Sequence, residues 1–175
     1  MRTIPGRQQR AVSLFYLFAP KMLERILLID DSDDDAALLQ MALKKAGLQD
    51  PVFWIRDAEE GMAYLRGDRE YSDREKFPLP NVLLLDLRMP KISGLDVLAW
   101  VKGQPRLNRL LVILVTHWSD AKVIGRAYQL GALSYLNKDG NAEEFEGFVE
   151  FVKGLGRVTK PVPSDLVHSL KSQAA

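Results

Sequence analysis

The sequence predicts an α/β fold, a doubly wound sheet of five parallel strands. Three observations lead there. Short apolar runs alternate with amphipathic stretches across residues 23–156. Three of those runs, RILLID at Arg25–Asp30, VLLLD at Val82–Asp86 and LVILV at Leu111–Val115, are apolar at successive positions, as a strand covered on both faces requires. Each strong run then ends in an acid or a hydroxyl: Asp30-Asp31, Asp86 and Thr116.

The elements follow in order. After the first strand, Leu39, Ala42, Leu43 and Ala46 recur at i, i+3, i+4 and i+7, one helical face, and Gly47 closes the helix. Asp33, Asp34 and Asp35 fall in its first turn, where negative charge complements the helix dipole. Val52–Ile55 reads as a strand and Ala58–Arg66 as a helix stopped by Gly67. The charged, proline-containing stretch 68–81 (DREYSDREKFPLPN) reads as a solvated loop. Gly94–Lys102 is helical, Asp120–Leu130 is a helix ending at Gly131, Leu133–Asn137 is a strand and Ala142–Leu155 is a last helix. Strands alternating with helices imply a parallel sheet with helices on both faces and right-handed crossovers.

Composition narrows the function. The 175 residues hold 24 Lys and Arg against 23 Asp and Glu, a net charge of +1. That balance leaves no basic excess for coating nucleic acid. The absence of cysteine excludes a disulfide scaffold, a zinc-thiolate site and thiol catalysis. With 47% hydrophobic residues the chain can build a core, yet no apolar run has the roughly 20 residues that span a bilayer. The charge is unevenly spread. Residues 1–21 carry Arg2, Arg7, Arg10 and Lys21 and no acid, while 22–156 sum to −5. Three zones result: a basic and apolar extension (1–21), a globular domain (22–156) and a tail (157–175) too short for an output domain. The extension reads as a dispensable arm with Met22 as the true start, as an interaction arm, or as a weak signal peptide.

In a doubly wound sheet, ligands bind at the carboxyl ends of the strands. Asp30, Asp31, Asp86, Thr116 and, just past the fifth strand, Lys138 converge there. Three clustered carboxylates repel one another unless a cation neutralises them, and oxygen ligands at a strand edge suit a hard ion such as Mg²⁺. Capping of the following helices does not explain three acids in register.

This set, Asp30-Asp31, Asp86-Leu87-Arg88-Met89-Pro90 with Gly94, Thr116 and Lys138, resembles the receiver domain of two-component response regulators. The resemblance covers residues 23–156. Thr116 follows Asp86 by 30 residues and Lys138 follows Thr116 by 22, similar to chemotaxis-type receivers. The longer Asp31–Asp86 stretch and the runs ALKKAG and LRMPKISG are similar to small stand-alone receivers that serve bacterial phytochromes. The resemblance implies a flavodoxin-like (βα)5 fold of strand order 2-1-3-4-5. It also implies that Asp86 accepts a phosphoryl group from the phosphohistidine of a sensor histidine kinase of phytochrome type. Mg²⁺ would be held by Asp31, Asp86 and the backbone carbonyl of Arg88, with Asp30 acting through water. Lys138 and Thr116 would bind phosphoryl oxygens, and Tyr135 would swing inward as Thr116 moves, a switch; the other reading of Tyr135 is a half-buried strand aromatic. The implied protein is a cytoplasmic phosphoprotein carrying a 4-aspartylphosphate. It would catalyse its own phosphorylation and a slow autodephosphorylation, and signal by contact with a downstream protein target or by a homodimer through the C-terminal helix and strand face.

Two departures stand out. Lys138 is followed by Asp139, where receivers usually have a proline after a cis bond, so the bond is expected to be either trans with a shifted loop or a strained cis. Thr116 is followed by bulky His117 and Trp118. With Arg88 these are expected to modulate the lifetime of the phosphoryl group, His117 as a general base, a cover or a surface residue. The reading from another class is a non-phosphorylated interaction module that keeps the fold. A phosphatase with an Asp nucleophile is disfavoured, because Asp86-Leu87-Arg88 lacks a second acid two residues on.

Overall fold

Strands of uniform apolarity can only be buried between two helical layers, and that is how the chain folds. The computed structural model describes residues 25–48 and 52–155, the side chain of Lys153 excepted. Five strands, β1 (Ile26–Ile29), β2 (Phe53–Ile55), β3 (Val82–Leu85), β4 (Leu111–Thr116) and β5 (Ser134–Asn137), form one sheet in the order 2-1-3-4-5. All its pairings are parallel, with Leu27 beside Leu83, Leu83 beside Val112 and Leu114 beside Tyr135. The helices are α1 (Asp33–Lys45), α2 (Ala58–Arg66), α3 (Gly94–Lys102), α4 (Ala121–Gln129) and α5 (Ala142–Leu155). This is the flavodoxin-like receiver architecture that the sequence predicts, with element ends differing by a residue or so.

The core lies on the central strands: Leu27, Leu28, Ile29, Leu83, Leu84, Leu85, Ile113 and Leu114 expose essentially nothing. At roughly 25 cal/mol per Å² of apolar surface removed from water, such side chains contribute about 1.5–3 kcal/mol each. Helix starts are set by side-chain caps. The Ser32 hydroxyl accepts from Asp35 N, Asp57 from the amides of Glu59 and Glu60, and Asp120 from those of Lys122 and Val123. Asp120, read from the sequence as helical, is thus the cap before α4. Gly67, at φ 81°, closes α2 in a left-handed conformation.

The stretch 68–81 departs from the expectation of a solvated loop. Arg69–Ser72 forms a 3-10 turn, Tyr71 is 6% exposed, and Phe77 packs edge-on to Tyr71, with ring centroids 5.1 Å apart. The same ring meets Phe53 of β2 and Tyr64 of α2 at 5.8 and 6.2 Å. The Tyr64 hydroxyl donates to the Pro78 carbonyl, and Arg74 donates to the carbonyls of Leu65 and Phe77. Charged residues punctuate the segment, but its aromatics close over the β2 edge of the sheet.

No helix among the described residues is long and apolar enough to cross a membrane. The extension 1–21 and the tail 157–175 lie outside the described residues.

Candidate functional site

The carboxyl ends of β1, β3, β4 and β5 bring together the residues expected there. Parallel pairing continues one residue past the strands. Asp30 N donates to the Ile55 carbonyl and Asp86 N to that of Ile29, which fixes both aspartates at the sheet edge. Ligand oxygens of Asp30, Asp31 and Asp86 lie within 4.8 Å of one another. Asp30 and Asp86 are buried, at 1% and 5% exposure, while Asp31 is open to solvent. A cleft of about 320 Å³ opens above them, lined by Asp31, Ser32, Asp35, Asp86, Arg88, Thr116, His117 and Lys138.

Lys138 is the buried cation of the site. It sits in a turn after β5, where Lys138 N donates to the Thr116 carbonyl and Asp139 N to the Asn137 side chain. The Lys138–Asp139 bond is trans, as are all peptide bonds among the described residues, so of the two expectations the trans one holds. Lys138 Nζ stands 2.7 Å from Asp30 Oδ2, 2.8 Å from Asp35 Oδ2 and 3.9 Å from Asp86 Oδ1. Burial works to lower the Lys138 pKa, but its bonds to Asp30 and Asp35 and the charge of Asp86 outweigh it and hold the ammonium above its usual 10.5. Burial raises the Asp30 carboxyl above its usual 3.8, only partly countered by Lys138 and by the Ser32 amide 3.0 Å from Oδ1. Asp86 Oδ1 is buried and accepts no hydrogen bond among the described residues.

Asp35 was missed as a site residue. Three consecutive acids read alike as first-turn charges, and all three do occupy the first turn of α1. Only Asp35 turns into the cleft, to Lys138 and to His117 Nε2 at 3.0 Å. Burial tends to raise its carboxyl, yet the bonds from Lys138 and His117 prevail and its pKa lies below 3.8.

Of the remaining expected residues, Thr116, His117 and Arg88 line the cleft and Tyr135 does not. Thr116 is fully buried, and its hydroxyl accepts from Trp118 N at 3.2 Å. His117, half-exposed, bridges Asp35 and Asp139, with Nδ1 2.7 Å from Asp139 Oδ1. The Arg88 guanidinium rests over the Trp118 ring. Tyr135 is half-buried on β5 and packs against the core, away from the cleft, lining instead a hollow with Phe148 and Phe151 of α5. Gly94 is required at the start of α3, because a Cβ there would overlap the Asp86 carbonyl and come within 2.8 Å of Leu87 Cα.

This donor set fits a hard divalent cation: three clustered carboxylates beneath a cleft, a buried Asp86 Oδ1 that accepts no hydrogen bond, and no sulfur or free imidazole among them. A fixed ammonium beside an unbonded carboxylate oxygen also suits an incoming phosphoryl group.

The sequence matches the family described as response regulator receiver domain over residues 26–150. It is 33% identical over 139 residues to response regulator Rcp1 of Synechocystis sp., spanning 79% of this chain and 92% of that protein. Identity to the probable methanogenesis regulatory protein FilR2 of Methanothrix harundinacea is 34% over 128 residues, 73% of this chain and 80% of that one. The fold is similar to the crystal structure of the phosphorylated cyanobacterial phytochrome response regulator RcpA. The TM-score is 0.69 at 31% identity, covering 80% of this chain and 98% of that chain. The Mn²⁺-bound form of Rcp1 gives a TM-score of 0.67 at 33% identity, over 80% and 99% of the two chains.

Proposed function

Because this chain belongs to the response regulator receiver domain family, we propose that Asp86 is its phosphoacceptor and that a phosphohistidine of a histidine kinase is the donor. One observation carries the assignment: Asp86 Oδ1 is buried at the cleft floor, free of hydrogen bonds, with Lys138 Nζ 3.9 Å away. Its lone pair is therefore available. An Asp86 oxygen attacks phosphorus in line, the new P–O bond forms as the P–N bond breaks, and the electron pair leaves with the imidazole nitrogen. Lys138 then pairs with one phosphoryl oxygen and the Thr116 hydroxyl donates to another.

The acidic cluster is a divalent-metal site; we take the ion to be Mg²⁺, which Asp31, Asp86 and the Arg88 carbonyl would hold, with Asp30 acting through water. When bound, the ion supplies positive charge that offsets the carboxylates and the phosphoryl oxygens. The chain would thus catalyse its own phosphorylation and a slow autodephosphorylation.

The partner reading rests on surface and on relatives. Leu38 and Met41, three residues apart on α1, are 62% and 69% exposed, an apolar strip suited to the helices of a kinase. RcpA is a phytochrome response regulator, which favours a kinase of phytochrome type in the cytoplasm. Tyr128, Leu133 and Phe151, exposed on α4, before β5 and on α5, favour a downstream protein or a second copy on that face, with the Thr116 and Tyr135 region switching it.

The test is incubation with acetyl phosphate and Mg²⁺, wild type beside Asp86→Asn, followed by intact-mass measurement. A mass gain of one phosphoryl group in the wild type alone is expected. No Asp86-dependent gain, together with no Mg²⁺-dependent beryllofluoride binding, would turn the reading to a non-phosphorylated interaction module.

A further inference from the structure

His117 faces two carboxylates at once. Its Nδ1 lies 2.7 Å from Asp139 Oδ1 and its Nε2 lies 3.0 Å from Asp35 Oδ2. A neutral imidazole donates from only one nitrogen, whereas an imidazolium donates from both, so the full bridge exists only in the protonated ring. The bond to Asp139 leads in raising the His117 pKa above 6.5, with Asp35 adding to it against a modest desolvation. Other charged groups around the ring are few. Asp33 on α1 is paired with Arg56, Lys138 shares Asp35, and Arg88 sits over Trp118; Asp31 and Asp86 line the same cleft.

Asp35 Oδ2 therefore has two cations, Lys138 Nζ at 2.8 Å and His117 Nε2 at 3.0 Å. Lys138 is committed to Asp30 and Asp35 and stands off from Asp86. A phosphoryl group on Asp86, close to doubly negative, draws that ammonium toward itself. Asp35 is only 23% exposed at its side chain, and a carboxylate so placed is costly to leave without a counter-ion. Among the described residues, His117 is the one cation positioned to remain.

We propose that His117 is a positioning residue for phosphoryl transfer: as the standing counter-ion of Asp35, it releases Lys138 to move from Asp35 to the group on Asp86. The proposal rests on Asp86 being the phosphoacceptor. It explains why an acid, Asp139, occupies the position after Lys138, because that acid holds the imidazole from the far side and keeps it charged. It also replaces two earlier readings of His117. A ring whose nitrogens both donate to carboxylates has no lone pair to act as a base, and its contacts are not those of an idle surface residue.

A reciprocal coupling follows. Occupancy of Asp86 removes Lys138 from Asp35 and so strengthens the His117–Asp35 pair, and protonation of His117 must in turn favour occupancy by the same factor. Beryllofluoride affinity at saturating Mg²⁺ should be full while His117 is protonated in both states. It should fall about 5- to 10-fold as pH rises through the His117 pKa of the free protein toward that of the occupied one. Titration calorimetry in two buffers of different ionisation heat should register net proton uptake on binding.

The experiment measures beryllofluoride affinity of the full chain as a function of pH, from below the ordinary histidine range to well above it. Wild type, His117→Gln, Asp35→Asn and the double variant are compared. His117→Gln should bind more weakly at the low end and lose the pH slope and the proton uptake. In the Asp35→Asn background, where no carboxylate needs a counter-ion, His117→Gln should change nothing. A slope retained in His117→Gln, or equal effects of His117→Gln in both backgrounds, overturns the proposal. Absence of Asp86-dependent binding in wild type at any pH would instead overturn the phosphoacceptor reading itself.

Discussion

The guanidinium carbon of Arg88 lies 5.6 Å from the centroid of the Trp118 ring, so the residues two past Asp86 and two past Thr116 meet across the mouth of the cleft. A cation stacked on an indole is worth about 0.5–1 kcal/mol at an exposed site. That is enough to bias the two side chains toward stacking and too little to bar a donor.

Trp118→Ala should therefore open the mouth. Labelling by acetyl phosphate is expected to speed up, and the acyl phosphate to hydrolyse about 2- to 5-fold faster, as loss of about 0.5–1 kcal/mol of stacking implies. The half-life after removal of excess donor is the measurement. An unchanged half-life would mean that water reaches Asp86 by another path.

His117→Ala distinguishes a base from a counter-ion. Because both ring nitrogens are engaged by Asp139 and Asp35, the acyl phosphate of the variant should last no longer than that of the wild type. A lengthened half-life would restore the general-base reading.

Gly94→Ala should damage both stability and the site. The added methyl overlaps the Asp86 carbonyl, with Leu87 Cα at 2.8 Å, and neither is a side chain that can turn away. Overpacking of this kind costs about 1–3 kcal/mol, and here it displaces the backbone that presents Asp86. Urea midpoints and acetyl phosphate labelling should fall together, whereas Asp86→Asn should lose labelling alone.

Stability against acid should depend on Asp35. Its carboxyl pKa is lower in the folded protein than the usual 3.8, because the bonds from Lys138 and His117 outweigh desolvation. The folded state thus binds the proton less tightly than the unfolded chain. The Asp35 contribution is complete above the unfolded value and is lost as pH falls from about 3.8 through the lower folded value. Urea unfolding as a function of pH should show a shallower acid decline for Asp35→Asn than for wild type.

Phe77→Ala tests the packed segment after α2. A fully buried Phe truncated to Ala costs about 3–5 kcal/mol, and Phe77 is half-buried among Phe53, Tyr64 and Tyr71, so about 2 kcal/mol is expected. Labelling of Asp86 should be unaffected, since no residue of this cluster lines the cleft.

The sheet was legible because burial on both faces imposes a pattern that needs no partner to recognise: ILLI, VLLL and LVILVT are apolar at consecutive positions. The site was legible for a related reason, since the residue after a buried strand falls at one edge of a parallel sheet. Asp30, Asp86, Thr116 and Lys138 were thus placed by counting along the chain. The 68–81 segment was not legible, because what orders it is elsewhere. Tyr71 and Phe77 are covered by Phe53 and Tyr64, and an aromatic in a charged stretch reads as exposed until its partner is known. Asp35 was hidden for the same reason, its cation lying 103 residues away.

The sequence by itself determined the layered α/β fold and the five-residue set at the sheet edge, because strand period and strand ends are local properties, and the motifs on that edge carried the resemblance to the receiver family. Only the tertiary structure decided how charge is shared within that set. Whether Lys138 rests on Asp86 or on Asp35, and whether His117 is idle or bridges two acids, depends on distances of 2.7–3.9 Å between side chains from α1, from just past β1 and β3, and from the turns after β4 and β5. Coulomb energies in a partly buried cleft vary steeply over that range, and no pattern along the chain encodes them.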